Sequence, residues 1–93
     1  MKSVQFQLWL NGKLTPRAIS DCLSRCNRIE KRLNLDLDIE FAKNKGNHLY
    51  SILNENNSET VKLLHFSPTA DLKTGMNSLK SATKKYFSFL LTL

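Results

Sequence analysis

The chain has 93 residues, 41% of them hydrophobic, with 14 Lys and Arg against 8 Asp and Glu for a net charge of +6. A domain of this size hides roughly two-thirds of its unfolded surface, enough for one modest core and too little for an enzyme pocket with walls of its own. The apolar content is that of a folding chain, and no weakly hydrophobic run of like charge marks a disordered one.

The opening MKSVQFQLWL has one lysine and a brief apolar stretch broken by glutamines, without the small-residue cleavage site of a signal peptide. It reads as a short helix from Val4 to Leu10, capped by Ser3 and stopped at Asn11-Gly12. Val4, Leu8 and Trp9 are expected to face the core. The second helix has the sharpest pattern. Thr15 suits its N-cap, and Pro16 suits the first helical position, where a missing N–H costs nothing. Ile19, Cys22, Leu23, Cys26, Ile29 and Leu33 recur at spacings of three and four and so share one face. Arg17, Asp21, Arg25, Arg28 and Arg32 run down the opposite face, flanked by Ser24 and Lys31. Glu30 falls beside the apolar stripe and needs a positive or hydroxyl partner, because an unpaired buried carboxylate is costly.

Beyond Asn34 the pattern weakens. Asp36 or Asp38 can cap a brief helix through Phe41 that Gly46 interrupts. A further helix fits Asn47 to Glu55, with Leu49, Ile52 and Leu53 inward, and Ser58 can cap another through His65. Ser67-Pro68-Thr69 breaks the chain, since the residue before proline avoids helical geometry. The last helix starts at the cap Asp71 and runs to about Leu91, with Leu72, Met76, Leu79, Thr83, Tyr86, Phe87 and Leu90 on one face. Lys73, Asn77, Lys80 and Lys84 form a flanking stripe, and Lys85 lies off to the other side. No repeat or strand alternation interrupts this all-α reading.

The candidates for chemistry are few. Cys22 and Cys26, four apart on the second helix, are expected to be reduced and buried, because a zinc site needs a second ligand pair that neither His48 nor His65 supplies. Asp36, Asp38 and Glu40 sit at a helix entry, where capping explains them better than acid–base work. Phosphate-loop, dinucleotide and zinc-protease motifs are missing. The expectation is no catalytic residue, no cofactor and no metal.

The charge pattern is the informative feature. Residues 1–33 carry seven cations and two acids, residues 34–60 two and five, and residues 61–93 five and one. Basic ends around an acidic middle allow two basic helices to share a face. Four of the five cations on the second helix are arginine, which can fork onto phosphate or guanine. Neither basic face is interleaved with the aromatic side chains that single-strand and RNA binders use for stacking. Duplex DNA is therefore the expected partner.

The stretch WLNGKLTPRAISDCLSRCNRIEKRLNLDLD, followed by NSLKSATKKYFSFL, resembles the N-terminal core-binding, SAM-like domain of tyrosine recombinases and phage-type integrases. Trp9-Leu10 looks like that family's opening, Leu14-Thr15-Pro16 like the entry to its basic helix, and Ser78 to Leu90 like its closing helix. The resemblance implies a compact bundle of four to five helices that clamps one side of duplex DNA, through Arg25, Arg28 and Arg32 on one helix and Lys80 and Lys84 on another. The family's catalytic domain has no counterpart here, and Tyr86 matches a core tyrosine rather than the nucleophile. An accessory or remnant protein of a mobile element fits that pattern. The alternative is a protein-interaction or self-association module using the apolar C-terminal helix, with Phe87, Phe89, Leu91 and Leu93 as its edge. No apolar stretch approaches the roughly 20 residues that span a bilayer, so a cytoplasmic protein without membrane contact is expected.

Overall fold

The computed structural model describes residues 1–93 and contains six helices and no strand: α1 (Ser3–Leu10), α2 (Pro16–Leu33), α3 (Leu37–Asn44), α4 (Asn47–Ile52), α5 (Ser58–Leu64) and α6 (Leu72–Leu90). The fold is all-α as expected, with one helix more than the upper expected number; α4 and α5 are each two turns or less. None of the six is long and apolar enough to cross a membrane.

Local sequence accounts for most boundaries. Thr15 caps α2 by accepting from the Ala18 N–H at 3.2 Å, with proline in the first turn. Asp36 caps α3 through the Asp38 and Ile39 N–H groups, and Asp71 caps α6 through those of Lys73 and Thr74. Each cap satisfies backbone donors that the first turn leaves without an intrahelical partner. Two expected caps are replaced. α1 begins at Ser3 itself without a side-chain cap, and Asn57 rather than Ser58 caps α5, through the Thr60 N–H at 3.0 Å.

α2 and α6 form the frame, packing most extensively on each other, and α5 lies against α2. The α2 stripe goes inward as read, with Ile19, Cys22, Cys26 and Ile29 buried and Leu23 and Leu33 half-buried at its edges. From α6 come Met76, Leu79, Ala82, Thr83, Tyr86, Phe87 and Phe89. Thr83 turns its hydroxyl back to the Leu79 and Lys80 carbonyls at 3.0 and 2.8 Å, which settles a buried polar group.

α1 is oriented opposite to expectation. Phe6 and Leu10 are buried, Trp9 packs at the margin, and Val4 and Leu8 are 69% and 65% exposed. The deciding contacts come from the far end of the chain. Phe6 meets Tyr86 edge-on at 4.9 Å and Phe89 at 5.5 Å, and Trp9 lies 5.8 Å from Phe89. An aromatic ring with such partners outweighs two aliphatic side chains in choosing the buried face.

Glu30 finds its partners at one end of α2: the Leu37 N–H at 3.0 Å, in the first turn of α3, and the Met1 ammonium at 3.4 Å. Asp38 is not a cap. It accepts from the Tyr86 hydroxyl and from Lys2 Nζ at 3.1 Å, and the Lys2 N–H donates to the same hydroxyl at 2.8 Å. Burial alone would raise the Asp38 carboxyl, but the hydrogen bonds from Tyr86 and Lys2 win and hold it below the usual carboxylate range. Burial, and then the bond to Asp38, push the Tyr86 phenol upward.

Candidate nucleic-acid interface

The five expected contact residues occupy different environments. Arg25 and Arg32 on α2 are exposed, as is Lys84 on α6, and Lys80 is half-buried. None of these four lies in an ion pair: the only ion pairs in the fold are those of Met1 with Glu30 and Asp38, Lys2 with Asp38, and Lys43 with Glu40. Their charge is therefore uncompensated by any carboxylate within 4 Å.

Arg28 differs from its neighbours in the stripe. Its guanidinium donates to the Leu64 carbonyl at 2.6 Å and lies 4.8 Å above the Phe66 ring. α5 ends at Leu64, and His65 leaves the helix in the left-handed conformation at φ 56°, so the Leu64 carbonyl is one of the acceptors a helix C-terminus leaves open. A cation at that end also meets the negative pole of the helix dipole. Arg28 thus ties α2 to α5, which corrects the expectation that it only points outward. The sequence offers no sign of this, because Arg28 repeats the spacing of Arg25 and Arg32.

The clefts group the cations in a way the stripes did not. Ser24, Asn27, Arg28, Lys31 and Arg32 line one open depression on α2. Lys73, Asn77 and Lys80 share a hollow with Asn54, Glu55 and Asn56, while Lys84 sits 5.9 Å from the centre of the Tyr50 ring. No cleft is lined both by Arg25, Arg28 or Arg32 and by Lys80 or Lys84. The cation of α6 that meets α2 is Lys85, which lines a groove with Arg25, Asp21 and Ser81. Lys85 lies outside the stripe formed by Lys73, Asn77, Lys80 and Lys84, so spacing alone does not single it out. The small residues Ala18, Cys22 and Ala82 in the same groove were the available clue, because small side chains mark where helices approach closely.

Five of the eight acids are engaged by helix caps or by pairs within the fold. Asp36 and Asp71 cap helices, Glu30 and Asp38 hold the junction of α2, α3 and α6, and Glu40 is 8% exposed beside Lys43. No cluster of three or more His, Cys, Asp or Glu side chains comes together. Cys22 and Cys26 are free thiols, both buried. The hydrogen bond with Cys22, together with burial, raises the Cys26 thiol strongly. Comparison with family models, curated proteins and solved structures finds no match to this chain.

Proposed function

We propose that this chain is a non-catalytic duplex-DNA-binding module of the kind its resemblance to integrase core-binding domains implies, an accessory or remnant protein of a mobile element. One observation carries the reading: five of the eight carboxylates are taken up by caps and internal pairs, while twelve of the 14 cations have no carboxylate partner, only Lys2 and Lys43 being paired. Such segregation is costly in self-repulsion, and a polyanionic partner relieves it. Arg25 and Arg32 on α2, with Lys80 and Lys84 on α6, supply phosphate contacts. Arg28, whose fork is partly used by Leu64, serves mainly to hold α2 against α5. The test is binding to a duplex of arbitrary sequence in about 50 mM salt, where electrostatic association is strong. Micromolar affinity supports the reading, and no detectable affinity ends it.

A second reading has a narrower basis than the sequence offered. Of the apolar C-terminal edge, Phe87 and Phe89 are buried, the latter against Phe6 and Trp9, whereas Leu91 and Leu93 stay outside, as do Val4 and Leu8 on α1. Self-association through these four leucine and valine side chains predicts a concentration-dependent sedimentation coefficient, which Leu8→Glu would abolish.

A further inference from the structure

Where α2 meets α6, the small side chains of Ala18, Cys22 and Ala82 let the helices approach until Cys22 Sγ lies 3.9 Å from the Ala82 carbonyl. Longer polar side chains then form a rim, Asp21 and Arg25 from α2 and Ser81 and Lys85 from α6, around a groove of about 150 Å³. A water takes about 30 Å³, so a tetrahedral anion fits in place of a few waters. Lys85 Nζ donates to Ser81 Oγ at 3.0 Å, which fixes the ammonium at the rim and leaves the Ser81 proton free to be donated. Asp21 pairs with neither cation within ion-pair distance. The Cys22 thiol is lowered, first by its hydrogen bond with Cys26 and then, against burial, by the fields of Lys85 and Arg25.

We infer that this groove is a phosphate subsite in which Arg25 and Lys85 hold one phosphate group of the nucleic-acid backbone and Ser81 donates a third hydrogen bond. The inference rests on the DNA-binding reading and adds Lys85 and Ser81 to it. Arginine supplies a planar fork and lysine a point charge, a pairing suited to a phosphate oxygen set. Asp21 opposes the anion. Its presence sets the sign of the most discriminating variant: Asp21→Asn must tighten binding, which no purely structural role predicts.

The experiment has two arms, run on the full chain. Inorganic phosphate is titrated into ¹⁵N-labelled protein while amide shifts are followed, and a fluorescent duplex is titrated with the same proteins. Phosphate should shift the amides around Arg25 and Lys85 saturably. Arg25→Gln and Lys85→Gln should each remove that response and weaken duplex binding roughly tenfold or more, the worth of one charge-assisted contact. Asp21→Asn should tighten both, and Lys62→Gln, which removes an equal charge from α5, should leave the phosphate response intact. Circular dichroism of each variant establishes that the fold persists. If wild-type protein binds duplex while Arg25→Gln and Lys85→Gln bind it equally well, the subsite is overturned and the DNA reading survives. If phosphate saturates the groove but duplex does not bind, the anion site stands and its assignment to the nucleic-acid backbone is overturned. Absence of any saturable phosphate shift overturns the subsite outright.

Discussion

The guanidinium of Arg28 closes the C-terminus of a helix 36 residues further along the chain by donating to the Leu64 carbonyl at 2.6 Å. This contact separates Arg28 from the arginines that share its spacing. Arg28→Gln should destabilise the fold by about 1.5–3 kcal/mol, the range for a hydrogen bond to a charged group. Arg32→Gln, which removes an exposed side chain, should stay within about 0.5 kcal/mol of wild type. Urea unfolding of the two variants checks the pair, and equal midpoints would show that the Leu64 contact contributes nothing.

Two glycines with positive φ offer a controlled comparison. Gly12 has φ 85° with open space where a Cβ would stand, whereas Gly46 has φ 83° and a Cβ there would lie within 3 Å of three Phe87 ring atoms. Gly12→Ala should cost about 1–2 kcal/mol for the left-handed backbone alone. Gly46→Ala adds overpacking against a buried ring, a further 1–3 kcal/mol or so. Thermal unfolding should therefore rank Gly46→Ala well below Gly12→Ala. Equal melting temperatures would mean that the Phe87 ring yields freely.

The Asp38–Tyr86 pair gives stability a pH dependence on both sides of neutrality. Asp38 is lowered in the folded state, so its contribution is present above the ordinary carboxylate range, near pH 4, and is lost as pH falls through the folded value. Tyr86 is raised, so its contribution is complete below about pH 10 and is lost as pH rises beyond it. Asp38→Asn should lower stability at pH 7 and flatten the acid limb between about pH 4 and 2. Urea midpoints measured across that range decide the matter, and an acid limb unchanged by the substitution would place its origin elsewhere.

The thiols should differ in reactivity although they share a stripe. Cys26 is fully buried and its thiol is raised, whereas Cys22 lines the α2–α6 groove. Thiolate is the reactive form, so a small alkylating reagent should modify Cys22 well before Cys26, and a bulky one should modify neither until the protein unfolds. Peptide mapping of partly labelled protein reads the order. Faster labelling of Cys26 would contradict the packing.

Much of this fold was legible in the sequence where local rules are strong. Thr15-Pro16 and the Ile19–Leu33 spacing fix α2, and Asp36 and Asp71 announce the starts of α3 and α6, because capping and periodicity act within a few residues. In α1 apolar side chains occur on nearly every turn, so local rules do not select its buried face; Tyr86 and Phe89, some eighty residues away, select Phe6 over Val4 and Leu8. Asn57 and Ser58 are both competent caps, and nothing local chooses between neighbours. At the candidate interface, sequence spacing identifies the exposed cations but not their tertiary company. Arg28 is claimed by Leu64, and Lys85, which belongs to neither stripe, is the one that joins Arg25.

If the unpaired cations of α2 and α6 bind the phosphates of duplex DNA, as proposed, the salt dependence of binding counts those contacts. Each phosphate contact contributes about 0.9 to the slope of log K against log salt concentration. Wild-type protein with four or so contacts should give a slope near −3.6 or steeper. Combining Arg32→Gln with Lys84→Gln should reduce its magnitude by about 1.8, with the helical circular dichroism unchanged because neither side chain packs the core. A duplex affinity that is absent at low salt, or a slope that the double substitution leaves untouched, would contradict the account.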